Sequence, residues 1–147
     1  MPLHWSNLPD FQLCIVTGHG QVTRADIETY LAGTIREGSK AFAKLVDISG
    51  CVLSLDYDDL ETVCEGLLRY GWGDRAGPVA MIVSTPLNLD MAVLMKQRVG
   101  DRPFRIFTAI DAARAWLASY HESYQLIGSY EALPTGALLR YRKTSAD

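Results

Sequence analysis

The amino-acid sequence predicts an α/β domain built on a single, mostly parallel sheet of four to five strands with about four helices. Short runs of β-branched and apolar residues alternate with longer segments whose apolar residues recur at helical spacing. One run, at 43–48, is largely apolar, which is typical of a strand with both faces covered. Alternating strands and helices favour a parallel sheet with helices packed against it. We expect any antiparallel edge to come from the first strand or from the C-terminal segment.

The first strand is predicted at 11–17, where β-branched and apolar residues are concentrated. A Gly-His-Gly turn follows it, and Thr23 with Asp26 forms a variant of the capping box that starts a helix over 24–37. The second strand is the run at 43–48. The residues of the first helix that repeat at helical spacing are Ile27, Tyr30, Leu31, Thr34 and Ile35.

The second helix is predicted to begin after Asp56, which caps it, and to end at Gly71. Asp58 and Asp59 lie in its first turn, where negative charge interacts favourably with the helix dipole. The apolar residues that follow the spacing of one buried helix face are Leu60, Val63, Cys64, Leu67 and Leu68.

The third strand is predicted at 78–84 and the fourth at 103–107. Between them, Thr85 is an N-cap followed by proline, which favours a helix that ends near residue 99. Thr108 and Asp111 indicate a short fourth helix. The third helix is expected to face inward with Leu87, Met91, Leu94 and Met95, and the fourth is lined by Ala112, Ala115, Trp116 and Ser119.

The composition excludes several classes of protein. The 147 residues are expected to form one domain, over 1–147, which buries roughly 68–70% of its unfolded surface. The net charge is −3 and the basic residues are scattered, which argues against a nucleic-acid partner. The sequence shows neither a signal-peptide pattern nor an apolar stretch near the roughly 20 residues of a membrane span. Cys14, Cys51 and Cys64 lack C-x-x-C spacing, which indicates buried thiols in a reducing, cytoplasmic compartment.

Four segments carry a family resemblance through their order and spacing. They are the Gly-x-Val-Thr turn at 20–23, Leu-Val-Asp-Ile-Ser-Gly at 45–50, the strand at 79–84, and Phe-x-x-x-Asp-Ala-Ala-x-Ala-Trp-Leu at 107–117. In this pattern the chain resembles the bacterial SpoIIAA-like proteins. Those proteins are related to the STAS domains of anti-sigma-factor antagonists and to Sec14-type lipid carriers. The resemblance covers a core of about residues 10–120 and leaves 121–147 as a C-terminal extension.

The resemblance implies a four- to five-stranded sheet with helices on one side and a regulatory protein without enzymatic activity or cofactor. In the anti-sigma antagonists, the second serine of an Asp-Ser-Ser-Gly motif at a helix start is phosphorylated. The matching segment here is 56–59, Asp-Tyr-Asp-Asp, so Asp58 stands at the acceptor position. A fixed carboxylate carries charge, but a kinase and a phosphatase cannot add or remove it.

The predicted working surface is the loop between the second strand and the second helix. A helix start beside the carboxyl end of a strand is where α/β proteins usually place their binding sites. We predict that a protein partner binds there through loop polar groups and one aromatic side chain. The residues assigned to this surface are Asp47, Ser49, Asp56, Tyr57 and Asp58.

Two other functions remain open at this stage. A carrier of a lipid or small apolar ligand needs a concave, mostly apolar pocket, and its candidate lining residues are Tyr70, Trp72, Met91 and Met95. An enzyme of unknown class would use Asp47 with His19 as its acid–base pair. No metal is expected, because the histidines lack ligand spacing and the acids at 56–59 are better explained as a capped helix start.

The C-terminal extension has two alternative roles. The segment at 124–130 fits a strand or a helix extension, and the segment at 138–141 fits a short edge strand. Its apolar residues either cover the sheet edge of their own chain or meet the same segment of a second copy. We expect self-association as a two-fold dimer, the commonest soluble oligomer.

Overall fold

The computed structural model describes residues 2–70, 76–99 and 102–120, together with two short strands at 131–132 and 139–140. The strands are β1 (Leu3–Leu8), β2 (Leu13–Gly18), β3 (Gly20–Val22), β4 (Ala43–Asp47), β5 (Cys51–Leu53), β6 (Val79–Ile82), β7 (Phe104–Phe107), β8 (Glu131–Ala132) and β9 (Leu139–Arg140). The helices are α1 (Arg24–Arg36), α2 (Tyr57–Tyr70), α3 (Pro86–Arg98) and α4 (Ile110–Tyr120).

The predicted fold class is confirmed. Five strands form one sheet in the order β1-β2-β4-β6-β7, in which β1 pairs antiparallel with β2 and the other neighbours are parallel. The antiparallel edge is β1, which precedes the first predicted strand. Its alternating buried and exposed residues are those of a half-covered edge strand, and the apolar-run criterion misses such a strand. Two short parallel strands, β3 and β5, pair beyond the ends of β2 and β4.

The helices cover the two faces of the sheet unequally. Strands β2, β4, β6 and β7 lie side by side in chain order, so all three crossover helices belong on one face. Residues of α2 and α3, with partly buried residues of α1, pack there on Cys14, Val16 and Met81. Ala113 and Leu117 of α4 pack on the opposite face. The implication that all helices lie on one side is therefore wrong for α4.

Three helix starts have the caps that the sequence predicts. Thr23 and Asp26 form a capping box on α1, and the Thr85 side chain accepts a hydrogen bond from Asn88 N at the start of α3. Asp56 accepts from Asp59 N at 2.7 Å, while Asp59 accepts from Asp56 N at 3.2 Å. These contacts satisfy backbone donors that a helix cannot pair internally.

The predicted inward faces are only partly right. Ile35 is 58% exposed and Leu87 is 51% exposed, and Leu68 and Leu94 are also exposed, so these four assignments are wrong. In α3 the buried residues are Asn88, Ala92 and Met95. The polar residue Asn88 belongs to this buried face. The buried face of α3 therefore differs from the face that its apolar residues alone indicate.

Candidate functional site

The loop after β4 is held by short-range polar contacts. The Asp47 carboxylate accepts hydrogen bonds from Ser49 N at 2.9 Å and from Ser49 Oγ at 2.5 Å. Ser84 Oγ donates to Ser49 O at 2.8 Å and so ties this loop to the start of α3. The structure thus brings the predicted residues Asp47 and Ser49 together, and it uses them to shape the loop.

At the start of α2, some of the predicted side chains are hydrogen-bonded and others are exposed. Asp56 is occupied by its reciprocal bond with Asp59, and Arg24 lies 3.6 Å from the Asp59 carboxylate. Asp58 is exposed, and Tyr57 is 69% exposed. Tyr57 and Asp58 are therefore the exposed members of this set whose side chains take no part in the hydrogen bonds that shape the loop and the helix start.

Asn88 is a structural residue of this region that the sequence analysis missed. Its side chain is fully buried, donates to Cys51 O at 2.8 Å and Ile48 O at 3.2 Å, and accepts from Leu53 N at 3.2 Å. These hydrogen bonds pair backbone groups in and just before β5 with the Asn88 side chain, and they hold this segment against α3. A single asparagine in the first turn of a helix belongs to no recognisable motif, so the sequence carries no distinctive signal for this role.

The carboxyl end of this sheet lacks the crevice of doubly wound folds. Such a crevice opens where the strand order reverses, and the parallel strands here keep one direction. His19 lies against His4, with ring centroids 5.9 Å apart. Among the described residues, no group of three or more His, Cys, Asp or Glu side chains is arranged to hold a metal ion. In the same part of the chain, no helix is both long and apolar enough to cross a membrane.

A cavity of about 80 Å³ lies between the sheet and the helices α1, α2 and α3. Its lining extends from Val22, Ile48 and Leu53 near the carboxyl ends of the strands to Val79 and Phe104 at their amino ends. Its lining is almost entirely apolar and includes Val63, Val79, Met81, Met95, Phe104 and Tyr70. Tyr70 and Met95 of the predicted carrier residues thus line it. Met91 packs half-buried on the core and is not part of the lining, and Trp72 lies outside the described residues.

One wall of the cavity carries buried cations. Lys44 is 2% exposed, and its Nζ donates to Ser39 O at 2.7 Å, Phe42 O at 2.7 Å and Lys40 O at 3.1 Å. These acceptors use all three donors of the ammonium group. Burial, reinforced by the Arg102 charge, lowers the pKa of Lys44 to about 7. With a pKa of about 7, the lysine is only about half protonated near neutral pH, and the donors of its ammonium form are all used by these carbonyl oxygens.

Tyr70 is the most unusual group in this wall. The Arg102 guanidinium carbon lies 5.3 Å from the centre of its ring, and Lys44 Nζ lies 5.8 Å from it. Its hydroxyl is buried beside the Thr34 hydroxyl, which itself donates to Leu31 O. Burial raises the pKa of Tyr70, although the hydrogen-bonding contact with Thr34 and the charge of Arg102 oppose this shift.

The Cys14 thiol and the Tyr30 hydroxyl extend this wall. Burial raises the pKa of Cys14 to about 11, although the Lys44 charge acts in the opposite direction. Burial also raises the pKa of Tyr30 well above its ordinary value. Both groups are therefore neutral near pH 7, and the charge of the wall comes from its cations.

The one signal for this wall in the sequence was Lys44 itself. A lysine between alanine and leucine, inside a run assigned to a strand covered on both faces, requires internal acceptors. Arg102 and Tyr70 come from other parts of the chain, and only the topology places them beside Lys44.

Lys44 should make the stability of the protein rise with pH. Its folded pKa of about 7 lies below the ordinary value of 10.5, so above pH 7 the unfolded chain holds more protons than the folded chain. The free energy of unfolding should increase by about 1–2 kcal/mol between about pH 7 and pH 8.5. Urea denaturation of the wild type and of Lys44→Met at both pH values measures this. Equal pH dependence in the two proteins would contradict it.

Comparison of this chain with protein-family models, with curated protein sequences and with solved structures found no match. The resemblance to the SpoIIAA-like proteins therefore stays a prediction, and the function is argued below from the geometry.

Proposed function

We propose that this protein is a non-enzymatic binding module of the regulatory kind that the STAS resemblance implies, and that its partner is another protein. The observation that carries the proposal is a set of exposed apolar side chains on α2 and α3, two helices that are joined by the Arg98–Glu61 ion pair. Large apolar groups exposed together on a protein surface mark interaction sites more often than isolated ones do.

The groove between α2 and α3 is defined by contacts between the two helices. Arg98 of α3 forms an ion pair with Glu61 of α2, and its guanidinium lies close to the Tyr57 side chain. The flank of α3 that carries Arg98 therefore faces the flank of α2 that carries Tyr57 and Glu61.

Helical periodicity places the other exposed apolar residues on the same flanks. Leu87 and Leu94 are eleven and four positions before Arg98, so they share its side of α3. Leu68 is seven positions after Glu61 and shares its side of α2. All three are exposed, as is Tyr57. Exposed apolar side chains that include an aromatic residue, with charged residues at their border, are typical of a protein-binding surface.

Asp58 sets the regulatory character of this module. By the resemblance, Asp58 stands at the position of the phosphoacceptor in the antagonists, and it is exposed in the first turn of α2. Its carboxylate gives the helix start a permanent negative charge. Partner binding is therefore expected without a phosphorylation switch.

The Tyr57→Ala and Leu94→Ser variants should lose the partner without losing the fold. The test is quantitative affinity capture from an extract of the source cells, with the immobilised wild type and variants. A protein retained by the wild type should fall at least about tenfold on each variant, as for a hot-spot residue. Ile35→Ser is the matched control, because Ile35 is an exposed apolar residue of α1.

Thermal unfolding of all four proteins shows whether each one is folded. If no protein is retained by the wild type, or if the groove variants and the control retain the same proteins equally, the proposed surface is wrong.

A further inference from the structure

We infer that the cavity beneath α1, α2 and α3 binds a compact, uncharged hydrocarbon of a few carbon atoms. The ligand is held by contacts with apolar side chains, and no charged or hydrogen-bonding group on it is recognised. This site is separate from the α2–α3 groove and does not depend on the protein partner proposed above.

One row of residues across the sheet shows where the unfilled space lies. Val16, Val46 and Met81 are neighbours in β2, β4 and β6. Val16 is 1% exposed and Met81 is 8% exposed, whereas Val46, between them in the central strand, is only partly buried. A central strand beneath helices is normally the most deeply buried of its row. The helices therefore leave a space over Val46, which lines the cavity.

The lining gives the cavity an entrance between α1 and α2. Ile27 and Leu31, one turn apart on α1, and Leu67 on α2 line the cavity and are partly exposed. Gly66, beside Leu67, has no side chain, and a methyl group there would lie 3.7 Å from Leu31 Cδ1. Partly exposed leucine and isoleucine side chains change rotamer rapidly, so a small apolar molecule can pass between them.

The volume of the cavity sets the size of the ligand. Engineered apolar cavities of about 150 Å³ stay dry and take up benzene or xenon. The cavity here is about 80 Å³, which is room for xenon or a hydrocarbon of a few carbons but not for a lipid chain. Water is a poor occupant, because each molecule needs two to four polar partners. An apolar ligand would restore the dispersion contacts that the buried lining residues Val63, Val79 and Met95 lack on the cavity side.

The polar groups beside the cavity already have contacts within the protein. Lys44 Nζ donates to three carbonyl oxygens, and Arg102 Nε donates to Gly77 O at 2.8 Å. The Cys14 thiol and the Tyr30 hydroxyl interact with each other. A charged group on the ligand would exchange its water shell for carbon atoms, which costs more than the apolar contacts return. The site should therefore reject cations and anions alike.

The test is a methyl NMR titration of the full chain with xenon and with isobutane. We expect saturable shifts in the methyl groups of Val63, Val79 and Met95, and none in those of the exposed Val52. Isopropylammonium and isobutyrate carry a charge on nearly the same skeleton and should bind at least about tenfold more weakly than isobutane. No saturable shift of the lining methyl groups with either apolar probe, or equal binding of a charged analogue, would overturn the inference.

Val46→Leu tests the position of the site by filling it. The added methylene enters the space over Val46, so isobutane affinity should fall at least about fivefold while the melting temperature stays equal or rises. Val83→Leu is the matched control, because Val83 is buried in the same core but does not line the cavity. It should bind isobutane like the wild type and melt several degrees lower, since its surroundings are filled.

The exposed Val52→Leu variant replaces this binding control if Val83→Leu does not fold. Unchanged isobutane affinity in Val46→Leu, or a melting temperature as low as that of Val83→Leu, would overturn the inference.

Discussion

Asn88→Ala is expected to lower the free energy of unfolding by about 3–5 kcal/mol. The substitution removes one buried acceptor and two buried donors, and it leaves Leu53 N, Ile48 O and Cys51 O without their side-chain partner. Each unpaired buried group costs about 1–3 kcal/mol, and a whole domain is stable by only about 5–15 kcal/mol. Urea denaturation followed by far-ultraviolet circular dichroism measures the loss.

Ser84→Ala is the matched control for this prediction. Ser84 also ties the loop after β4 to the start of α3, through one hydrogen bond to Ser49 O, but that contact is exposed. Its removal should cost less than about 1 kcal/mol, because water replaces the lost donor. Similar losses in the two variants would show that burial of the Asn88 amide is not what stabilises β5.

Gly77→Ala is expected to destabilise the protein by about 2–4 kcal/mol. A methyl group there would overlap Phe42 O and would lie 2.6 Å from Ala41 O, so backbone must move to admit it. The same residue donates from its N to Lys40 O at 3.2 Å and accepts from Arg102 Nε. The shift would therefore disturb the carbonyl oxygens that hold Lys44 and the position of Arg102. Thermal and urea unfolding measure the effect.

Gly66→Ala provides the contrast, because the same chemical change causes no overlap there. Its methyl group would lie 3.7 Å from Leu31 Cδ1, an ordinary contact, inside α2. Alanine favours a helix interior by about 1 kcal/mol over glycine, so this variant should be as stable as the wild type or more so. If both variants lose stability to the same extent, close backbone approach is not the reason for glycine at 77.

The parts of the fold that could be predicted from sequence are those with local causes. The caps at Thr23, Asp56 and Thr85 depend on residues within one helical turn, and the sequence shows them directly. Strand β1 was missed because one of its faces is open to solvent, which weakens the apolar signal. The inward face of α3 was assigned wrongly because it includes the polar residue Asn88. Asn88 is buried there because it hydrogen-bonds Leu53 of β5, which is 35 residues earlier in the chain.

The two candidate sites also differ in how far the sequence could predict them. Residues of the loop after β4 are neighbours in sequence, so their proximity could be anticipated. The cation-lined wall combines Lys44 from β4, Tyr70 from the end of α2 and Arg102 from the segment before β7. No local pattern connects these three positions, because the parallel topology alone brings them together. Lys44 could have been flagged alone, since a buried lysine needs acceptors, but its partners could not.

The three cysteines make the chain convenient for site-directed chemistry. All three are buried, and burial raises the pKa of Cys14 and Cys51 to about 11 and also raises that of Cys64. Near neutral pH they hold almost no thiolate, the form that reacts with maleimides and iodoacetamides. A Ser54→Cys variant places one exposed thiol between β5 and α2. A fluorophore or cross-linker can therefore be attached just before α2, one of the two helices of the proposed binding surface, without first removing the native cysteines.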